Sequence, residues 1–178
     1  MIVKTFEIKK KIIDTYNFFL MHGKNEGFKN EIIELNFIKN FDGQINKYDE
    51  VEFIKNKELI ITDLLNKSFF GDKKILVISR ATDKITKTIE YLINENLIDI
   101  KIIIKCSIIE KKSKLRMLFE KKKDLISIPF YEDDSKSLTT IVTAFIKKHK
   151  ISLSRESINL LVSRASGDRE NLKIELEK

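Results

Sequence analysis

Residues 74–106, KILVISRATDKITKTIEYLINENLIDIKIIIKC, place two apolar runs on either side of a helical pattern. Lys74–Ser79 and Ile100–Cys106 are apolar along most of their length, as is typical of strands buried on both faces of a parallel sheet. Asp83 stands where we expect a helix cap. The apolar residues that follow it at helical spacing are Ile85, Ile89, Leu92 and Ile93. This stretch therefore predicts a strand, a crossover helix and a second parallel strand.

The same alternation extends in both directions along the chain. The other predicted strands are Tyr16–His22, Ile45–Asp49 and Leu125–Phe130, and the other predicted helices run through Phe28–Leu35, through Glu50–Lys67 in one or two pieces, and onward from the cap Ser113. After the acidic run Tyr131–Asp134 only helical patterns remain, with caps at Ser154 and Asp168 and a stop at Gly167. We therefore expect an α/β domain with a parallel sheet over residues 1–132 and a small domain of three helices over residues 133–178.

Composition excludes several classes of protein. The 178 residues are 42% apolar and 34% charged, and no apolar run approaches the roughly 18 residues that cross a bilayer. Met1–Lys11 lacks the apolar core of a signal peptide. Cys106 is the only cysteine, which excludes an internal disulfide and fits a reducing cytoplasm, where we expect the protein to reside. The net charge of +7 fits either a polyanionic partner or the lysine-rich codon usage of an AT-rich genome, and composition leaves both open.

The turn after the first strand has the position of a phosphate loop but lacks its residues. A Walker A loop needs two glycines at a fixed spacing, a Lys for the phosphates and a Ser or Thr for magnesium. Here Gly23 and Gly27 are one residue too close, Glu26 adds a negative charge, and Lys29 is followed by Asn30 where a hydroxyl is required. The turn is either a degenerate phosphate loop or an ordinary strand-to-helix turn. In both cases we predict no ATP hydrolysis and no bound cofactor.

Other residues that could carry chemistry do not form a recognisable pattern. No Asp or Glu ends Lys74–Ser79 or Ile100–Cys106, where a metal-assisted hydrolase would need one. His22 and His149 have no neighbouring Cys and no suitably spaced carboxylate, so we expect no metal site. We interpret the run Glu132–Asp134 as a solvated linker that charges a helix N-terminus. We expect no catalytic residues.

Two adjacent aromatic residues, Phe69 and Phe70, stand at the end of a predicted helix, with the stop Gly71-Asp72 after them. Neighbouring helical residues point about 100° apart, so one ring can be left outside the core. Large apolar residues are usually inside, and spacing alone favours the core. An exposed ring beside Lys73 would instead be an anchor for a partner protein.

Several local patterns together resemble the N-terminal part of the delta subunit of the bacterial DNA polymerase III clamp loader, over essentially the whole chain. They are Phe19-Leu20-Met21-His22-Gly23 followed by Glu26-Gly27; Ser68-Phe69-Phe70-Gly71-Asp72-Lys73-Lys74; Ser113-Lys114-Leu115-Arg116; Tyr131-Glu132-Asp133-Asp134; and Gly167-Asp168-Arg169 before Glu175-Leu176-Glu177-Lys178. Each pattern is weak alone, and their order and spacing carry the resemblance.

The resemblance implies an AAA+-like domain without ATPase activity over residues 1–132 and a helical lid over residues 133–178. Delta subunits bind the sliding clamp (the beta subunit) and open it, so that other subunits can load it on primed DNA. The clamp-binding wedge of the family is a Leu-Phe pair at a helix end, and the matching positions here are Phe69 and Phe70, flanked by Ser68 and Gly71. With the resemblance we interpret this pair as the clamp anchor and expect at least one exposed ring.

We therefore expect a replication protein, a subunit of the DNA polymerase III holoenzyme with no activity of its own. Its implied partners are the sliding clamp, primed DNA within the complex, and the other loader subunits. The family contacts those subunits through a collar domain, which we expect to be absent from this chain. Two alternatives remain: an active P-loop ATPase, which a nucleotide titration would reveal, and a general nucleic-acid-binding protein, whose affinity would fall steeply with salt.

Overall fold

The computed structural model describes residues 1–66, 73–95 and 97–178. Its strands are β1 (Phe18–Gly23), β2 (Gln44–Asp49), β3 (Lys74–Ser79), β4 (Ile100–Cys106) and β5 (Leu125–Phe130). Its α-helices are α1 (Lys10–Thr15), α2 (Glu26–Ile33), α3 (Glu50–Lys55), α4 (Lys57–Leu65), α5 (Thr86–Asn94), α6 (Lys114–Lys121), α7 (Ser135–His149), α8 (Arg155–Ala165) and α9 (Arg169–Leu176). No helix in the described ranges is long and apolar enough to cross a membrane.

The five strands form one parallel sheet in the order β2-β3-β4-β1-β5. Leu76 lies opposite Ile102, and Ile102 lies opposite Phe18, so these three side chains form one row across β3, β4 and β1. All three belong to the same buried core cluster. Phe19 points to the other face, where its ring meets the ring of Phe37 edge-on at 4.9 Å. Burial on both faces explains why the strands read as continuous apolar runs.

The strand order reverses at β1. The chain leaves β1 for the far edge, returns through β3 to β4 on one side of β1, and then crosses to β5 on the other side. In open parallel sheets, ligands bind beyond the carboxyl ends of the strands at such a reversal. The carboxyl end of β1 is Gly23. The turn from β1 to α2 is therefore the first place to look for a functional site.

The chain divides into two compact units. The first contains residues 1–23 and 32–129, and the second contains residues 24–31 and 130–178. In the second unit, α7, α8 and α9 pack around a core made of Leu138, Val142, Val162, Ala165 and Leu172. The side chains of Asp134, Ser154 and Asp168 cap the three helices by accepting hydrogen bonds from backbone N–H groups in their first turns. Each such cap contributes about 1 kcal/mol of stability.

The predicted fold class is confirmed: a parallel sheet with flanking helices precedes three further helices. β3, β4 and β5 have the predicted bounds, and the helical stretch that begins at Glu50 consists of two helices, α3 and α4. The predicted end of that stretch, Lys67, lies outside the described residues. The domain boundary between residues 132 and 133 stays a prediction.

The prediction for Asp83 was wrong. Thr82, not Asp83, caps the short 3-10 turn that precedes α5. The Asp83 carboxylate instead caps α6, where it accepts hydrogen bonds from the N–H groups of Lys114 and Leu115 at 3.0 Å and from Oγ of Ser113 at 2.5 Å. Partial burial opposes ionisation, but these hydrogen bonds outweigh it and hold the pKa of Asp83 below its ordinary value. Amides at a helix N-terminus have no partner within the helix, so a nearby carboxylate is drawn to them.

Candidate functional site

The turn from β1 to α2 contains only two residues, Lys24 and Asn25. Gly23 adopts a φ of 127°, which only glycine accommodates without strain. Its N–H donates to the carbonyl of Ser107 at 3.0 Å. A phosphate loop needs a wider turn whose successive N–H groups point at the ligand. This turn is too short to provide one.

Three backbone donors at the start of α2, those of Glu26, Phe28 and Lys29, are used within the chain. The N–H of Glu26 donates to the carbonyl of Lys24 at 2.9 Å, and the N–H of Lys29 donates to the carbonyl of Asn25 at 3.1 Å. The N–H of Phe28 donates to Oδ1 of Asn25 at 3.0 Å. Asn25 therefore caps α2 and occupies the position where a helix N-terminus would receive an anion.

Asn25 is itself held on its other side. It is 3% exposed, and its Nδ2 donates to the carbonyl of Tyr131 at 3.0 Å and to Oδ2 of Asp133 at 2.8 Å. One amide side chain thus connects the start of α2 to the segment that follows β5. Because both ends of the amide are bonded, moving Asn25 aside would leave several buried polar groups without partners.

The side chains of Lys29 and Asn30 contact acidic residues of the chain itself. The Lys29 side chain is fully buried, and its ammonium group pairs with the carboxylate of Glu26 one turn earlier. Nδ2 of Asn30 lies 3.5 Å from Oε2 of Glu170 in α9. The lysine that a phosphate loop would present to the ligand is therefore neutralised by the acidic residue that the sequence already marked as out of place.

The largest polar cluster of the second unit surrounds Arg169, the first residue of α9. The guanidinium binds Asp133 with two hydrogen bonds, from Nε to Oδ2 at 2.8 Å and from Nη2 to Oδ1 at 2.5 Å. Nη1 reaches Oε1 of Glu31 at 3.0 Å, and Nζ of Lys173 reaches the other oxygen of Glu31 at 2.6 Å. The guanidinium carbon lies 3.7 Å from the centre of the Phe28 ring. We call Asn25, Glu31, Asp133, Arg169 and Lys173 the Arg169 cluster.

Burial and charge oppose each other in the Arg169 cluster. Arg169 is 8% exposed; desolvation lowers its pKa, but the hydrogen bonds and charges of Asp133 and Glu31 outweigh this and raise it. For Asp133, burial raises the pKa, while the hydrogen bonds from Arg169 and Asn25 bring it below the ordinary value. Both groups are therefore held in their charged forms by each other.

Gly27 has a packing role. A methyl group added there would lie 2.8 Å from Cβ and 2.9 Å from the backbone nitrogen of Glu170. The first turn of α9 therefore approaches α2 as closely as a residue without a side chain permits. The sequence argument treated Gly27 as part of a degenerate loop, but its contacts are with Glu170 and Arg169.

Sequence reasoning missed the Arg169 cluster and interpreted Asp133 as part of a solvated linker, which was wrong. The Asp133 side chain is 6% exposed and fully bonded. One signal was available: Arg169 follows the cap Asp168 directly, and a cation in the first turn of a helix is unfavourable unless a carboxylate compensates it. Nothing in the spacing identified Asp133 or Glu31 as that carboxylate.

The remaining predicted positions fall into two groups. The clamp anchor Phe69 and Phe70, with Ser68 and Gly71, lies outside the described residues. Elsewhere, β3 ends at Ser79 and is followed by Arg80. The guanidinium of Arg80 pairs with the carboxylate of Asp49 at the end of β2. Among the described residues, no three His, Cys, Asp or Glu side chains are grouped so that they could hold a metal ion.

No protein-family model matches this sequence, and no curated protein is significantly similar to it. Solved structures do match in fold. The RuvB Holliday junction branch migration motor of Thermotoga maritima superposes with a TM-score of 0.62 at 12% identity, over 94% of this chain and 55% of that one. The Bacillus subtilis DNA clamp loader delta protein YqeN superposes with a TM-score of 0.56 at 14% identity, over 94% of this chain and 54% of that one.

Domain III of the Thermotoga maritima replication initiation protein DnaA gives a TM-score of 0.55 at 15% identity, over 92% of this chain and 75% of that one. All these proteins share the five-stranded parallel sheet with flanking helices. This chain has the AAA+ fold. It spans about half the length of the RuvB and YqeN chains. In the AAA+ fold the phosphate-loop position is the turn after β1 and the start of the helix that follows, which in this chain hold Asn25 and the Lys29–Glu26 pair.

The first prediction concerns Gly27 in this AAA+ fold. In an ordinary helix interior, replacing Gly by Ala stabilises a protein by about 0.5–1 kcal/mol. Here we expect Gly27→Ala to lower the free energy of unfolding by about 1–3 kcal/mol, because the methyl group would overlap the backbone of Glu170. Urea denaturation followed by circular dichroism measures the change. Asn171→Ala, at an exposed position of α9, is the control and should stabilise slightly. Stabilisation by Gly27→Ala would contradict the close approach.

The second prediction concerns Arg169. We expect Arg169→Ala to cost about 3–5 kcal/mol at neutral pH, because it leaves Asp133 and Glu31 without the cation that they share. Arg169→Lys should retain part of the stabilisation that Arg169→Ala loses, since it keeps the charge but loses the bidentate contact with Asp133. Arg164→Ala, on the exposed face of α8, should change the stability by less than about 0.5 kcal/mol.

The effect of Arg169 should also depend on pH. The pKa of Asp133 is lower in the folded protein than its ordinary value, so its contribution is complete above the unfolded pKa and is lost as the pH falls through the folded pKa. The stability difference between the wild type and Arg169→Lys should therefore narrow in strong acid. A difference that is small at neutral pH, or that grows on acidification, would show that the Arg169 cluster contributes little.

Proposed function

We propose that this chain is a clamp-loader subunit of the delta type, which binds the sliding clamp and opens it for loading on primed DNA without hydrolysing ATP. The observation that carries the proposal is an AAA+ fold whose phosphate-loop position is filled by the chain's own side chains. Asn25 caps the helix that would face the phosphates, and Lys29 is paired with Glu26. A subunit of this kind would act by binding.

Nucleotide binding would require several changes at once. Lys29 would have to leave Glu26, and Asn25 would have to leave Tyr131 and Asp133. Even then, Asn30 offers no hydroxyl to a magnesium ion, and β3 ends in Ser79 without a carboxylate. Each broken buried hydrogen bond costs about 1–3 kcal/mol, and more where a charge is involved. These costs favour a binding subunit over an active P-loop ATPase.

Two further features support the clamp as the partner. One is that the Bacillus subtilis DNA clamp loader delta protein shares the fold of this chain. The other is the sequence Ser68-Phe69-Phe70-Gly71, which follows α4 and resembles the clamp-binding wedge of delta subunits. In this proposal Phe69 and Phe70 enter a pocket of the clamp, with Ser68 and Gly71 beside them. The other loader subunits would be contacted through a collar domain, as the resemblance implies, and the protein would act in the cytoplasm with no cofactor of its own.

The third prediction concerns ATP. The chain should show no ATP turnover above background and no tight binding of a fluorescent ATP analogue, because Lys29 and three of the backbone donors at this position are already bonded within the chain. A turnover that disappears in Lys29→Ala, in a variant that is still folded, would support an active ATPase instead. Lys24→Ala, which changes the exposed lysine of the same turn, is the matched control.

The fourth prediction concerns the clamp. Immobilised chain should retain the cognate sliding clamp, and the double variant Phe69→Ala, Phe70→Ala should bind it more than tenfold more weakly. Buried aromatic anchors contribute about 2–4 kcal/mol to an interface, and about 1.4 kcal/mol is a factor of ten. The melting temperature of the double variant should change little.

A matched control separates a specific anchor from general stickiness. Phe6 and Tyr131 are 74% and 78% exposed, so the double variant Phe6→Ala, Tyr131→Ala also removes two aromatic rings. It should bind the clamp as the wild type does. Equal loss of clamp binding in both double variants would contradict the anchor. So would a large loss of stability in Phe69→Ala, Phe70→Ala with clamp binding retained, because the rings would then belong to the core.

A further inference from the structure

An open groove of about 490 Å³ runs along the first unit between the start of α5 and the length of α6. Five lysines line it, two from the turn and first residues of α5 and three from α6 and its C-terminal end: Lys84, Lys87, Lys114, Lys121 and Lys122. All five are exposed. Met117 and Leu118 form a shallow, half-buried floor between them. The groove is therefore a basic surface with a small apolar base.

The net charge of the chain is concentrated beside this groove. Residues 111–123 contain seven basic residues and one acidic residue, Glu120, which gives a net charge of +6 in thirteen residues. The basic residues are Lys111, Lys112, Lys114, Arg116, Lys121, Lys122 and Lys123. The whole chain carries +7, so the remainder of the chain carries only +1. Other lysines are clustered too, at Lys9–Lys11 and at Lys147, Lys148 and Lys150, but acidic residues elsewhere in the chain offset them in the total.

Two acidic residues, Asp83 and Glu90, also line the groove, and two further carboxylates near it are paired with other residues. Glu110 pairs with Lys112, and Glu120 pairs with Arg116. The Asp83 carboxylate is bonded to the N-terminus of α6. Within the described ranges, none of the five groove lysines forms an ion pair. Five exposed ammonium groups therefore outnumber the two carboxylates that line the groove and leave it with a net positive charge, which attracts an extended anion.

The spacing of these charges fits a phosphate backbone. Lys114 and Lys121 are seven residues apart on α6, or about 10 Å along the helix axis. A DNA strand carries one negative charge per ~3.4 Å, so this distance spans about three phosphates. Lys84 and Lys87 add charge from the facing side. A peptide partner would instead need a pocket for an anchoring side chain, and the open groove with its half-buried floor provides none.

We infer that the groove between α5 and α6 binds the phosphate backbone of a DNA strand. The inference goes beyond clamp binding and does not depend on it, because the groove residues are separate in sequence from the proposed clamp anchor. Lysine ammonium groups act as point charges toward phosphate and do not read bases. Binding should therefore be insensitive to sequence and strongly dependent on salt.

The test compares two triple variants of the full chain that carry the same net charge. Lys84→Gln, Lys114→Gln, Lys121→Gln removes three groove charges. Lys9→Gln, Lys10→Gln, Lys11→Gln removes three exposed charges at the start of α1. Fluorescence anisotropy with a short labelled single-stranded DNA, without clamp or nucleotide, measures affinity between about 50 and 200 mM salt. Circular dichroism confirms that both variants are folded.

We expect the groove variant to lose at least tenfold in DNA affinity, and the slope of log affinity against log salt to fall by about two, since each phosphate contact on a single strand contributes about 0.7. The α1 variant should change affinity by less than about twofold. Equal losses in both variants would show that only net charge matters and would overturn the inference, as would a wild type that does not bind DNA. A different result would be that polyglutamate binds in the groove while the groove variant still binds DNA as the wild type does. That result would assign the groove to an acidic peptide instead. The clamp pull-down contains no DNA, so its failure is distinguishable from the failure of this inference.

Discussion

The guanidinium of Arg169 is buried within the second unit, and its burial constrains the residues around it. Removing an arginine from water costs several kcal/mol unless every donor finds a partner. Asp133 and Glu31 supply the carboxylates, and the Phe28 ring covers one face of the guanidinium. To bring these groups within reach, the first turn of α9 must lie against α2. Gly27 is the residue that permits this approach.

This arrangement gives the chain an internal substitute for the anionic ligand of a phosphate loop. In a P-loop protein, the start of the helix after β1 receives phosphate oxygens. Here the oxygens that meet those donors come from Asn25 and from the backbone, and Glu26 supplies the negative charge beside Lys29. Asn25, Lys29 and three backbone donors are thus already bonded within the chain. This bonding is the physical reason for our proposal that the chain acts by binding partner proteins.

Local features of the sequence predicted the fold well. β3, β4 and β5 have the predicted bounds because their apolar runs are continuous, and Ser113, Ser154 and Asp168 cap helices because capping depends on the nearest few residues. The Arg169 cluster could not be predicted in the same way, since Asp133 and Glu31 are 36 and 138 residues from Arg169. The prediction that Asp83 caps the helix that follows it failed for a related reason. Its carboxylate accepts from a helix about thirty residues away, which the neighbouring sequence does not indicate.

The net charge illustrates why placement decides more than composition. A total of +7 left two explanations open, a polyanionic partner and codon usage. In the structure, Lys112 and Arg116 pair with neighbouring glutamates, whereas the five lysines of the groove outnumber the two carboxylates that line it, Asp83 and Glu90. Codon usage can raise the number of lysines, and exposed lysines also lie outside the groove, at Lys9, Lys10 and Lys11. It gives no reason, however, for five lysines to line one groove. Mutual repulsion of five ammonium groups is a cost to the free protein, and an anionic partner relieves it.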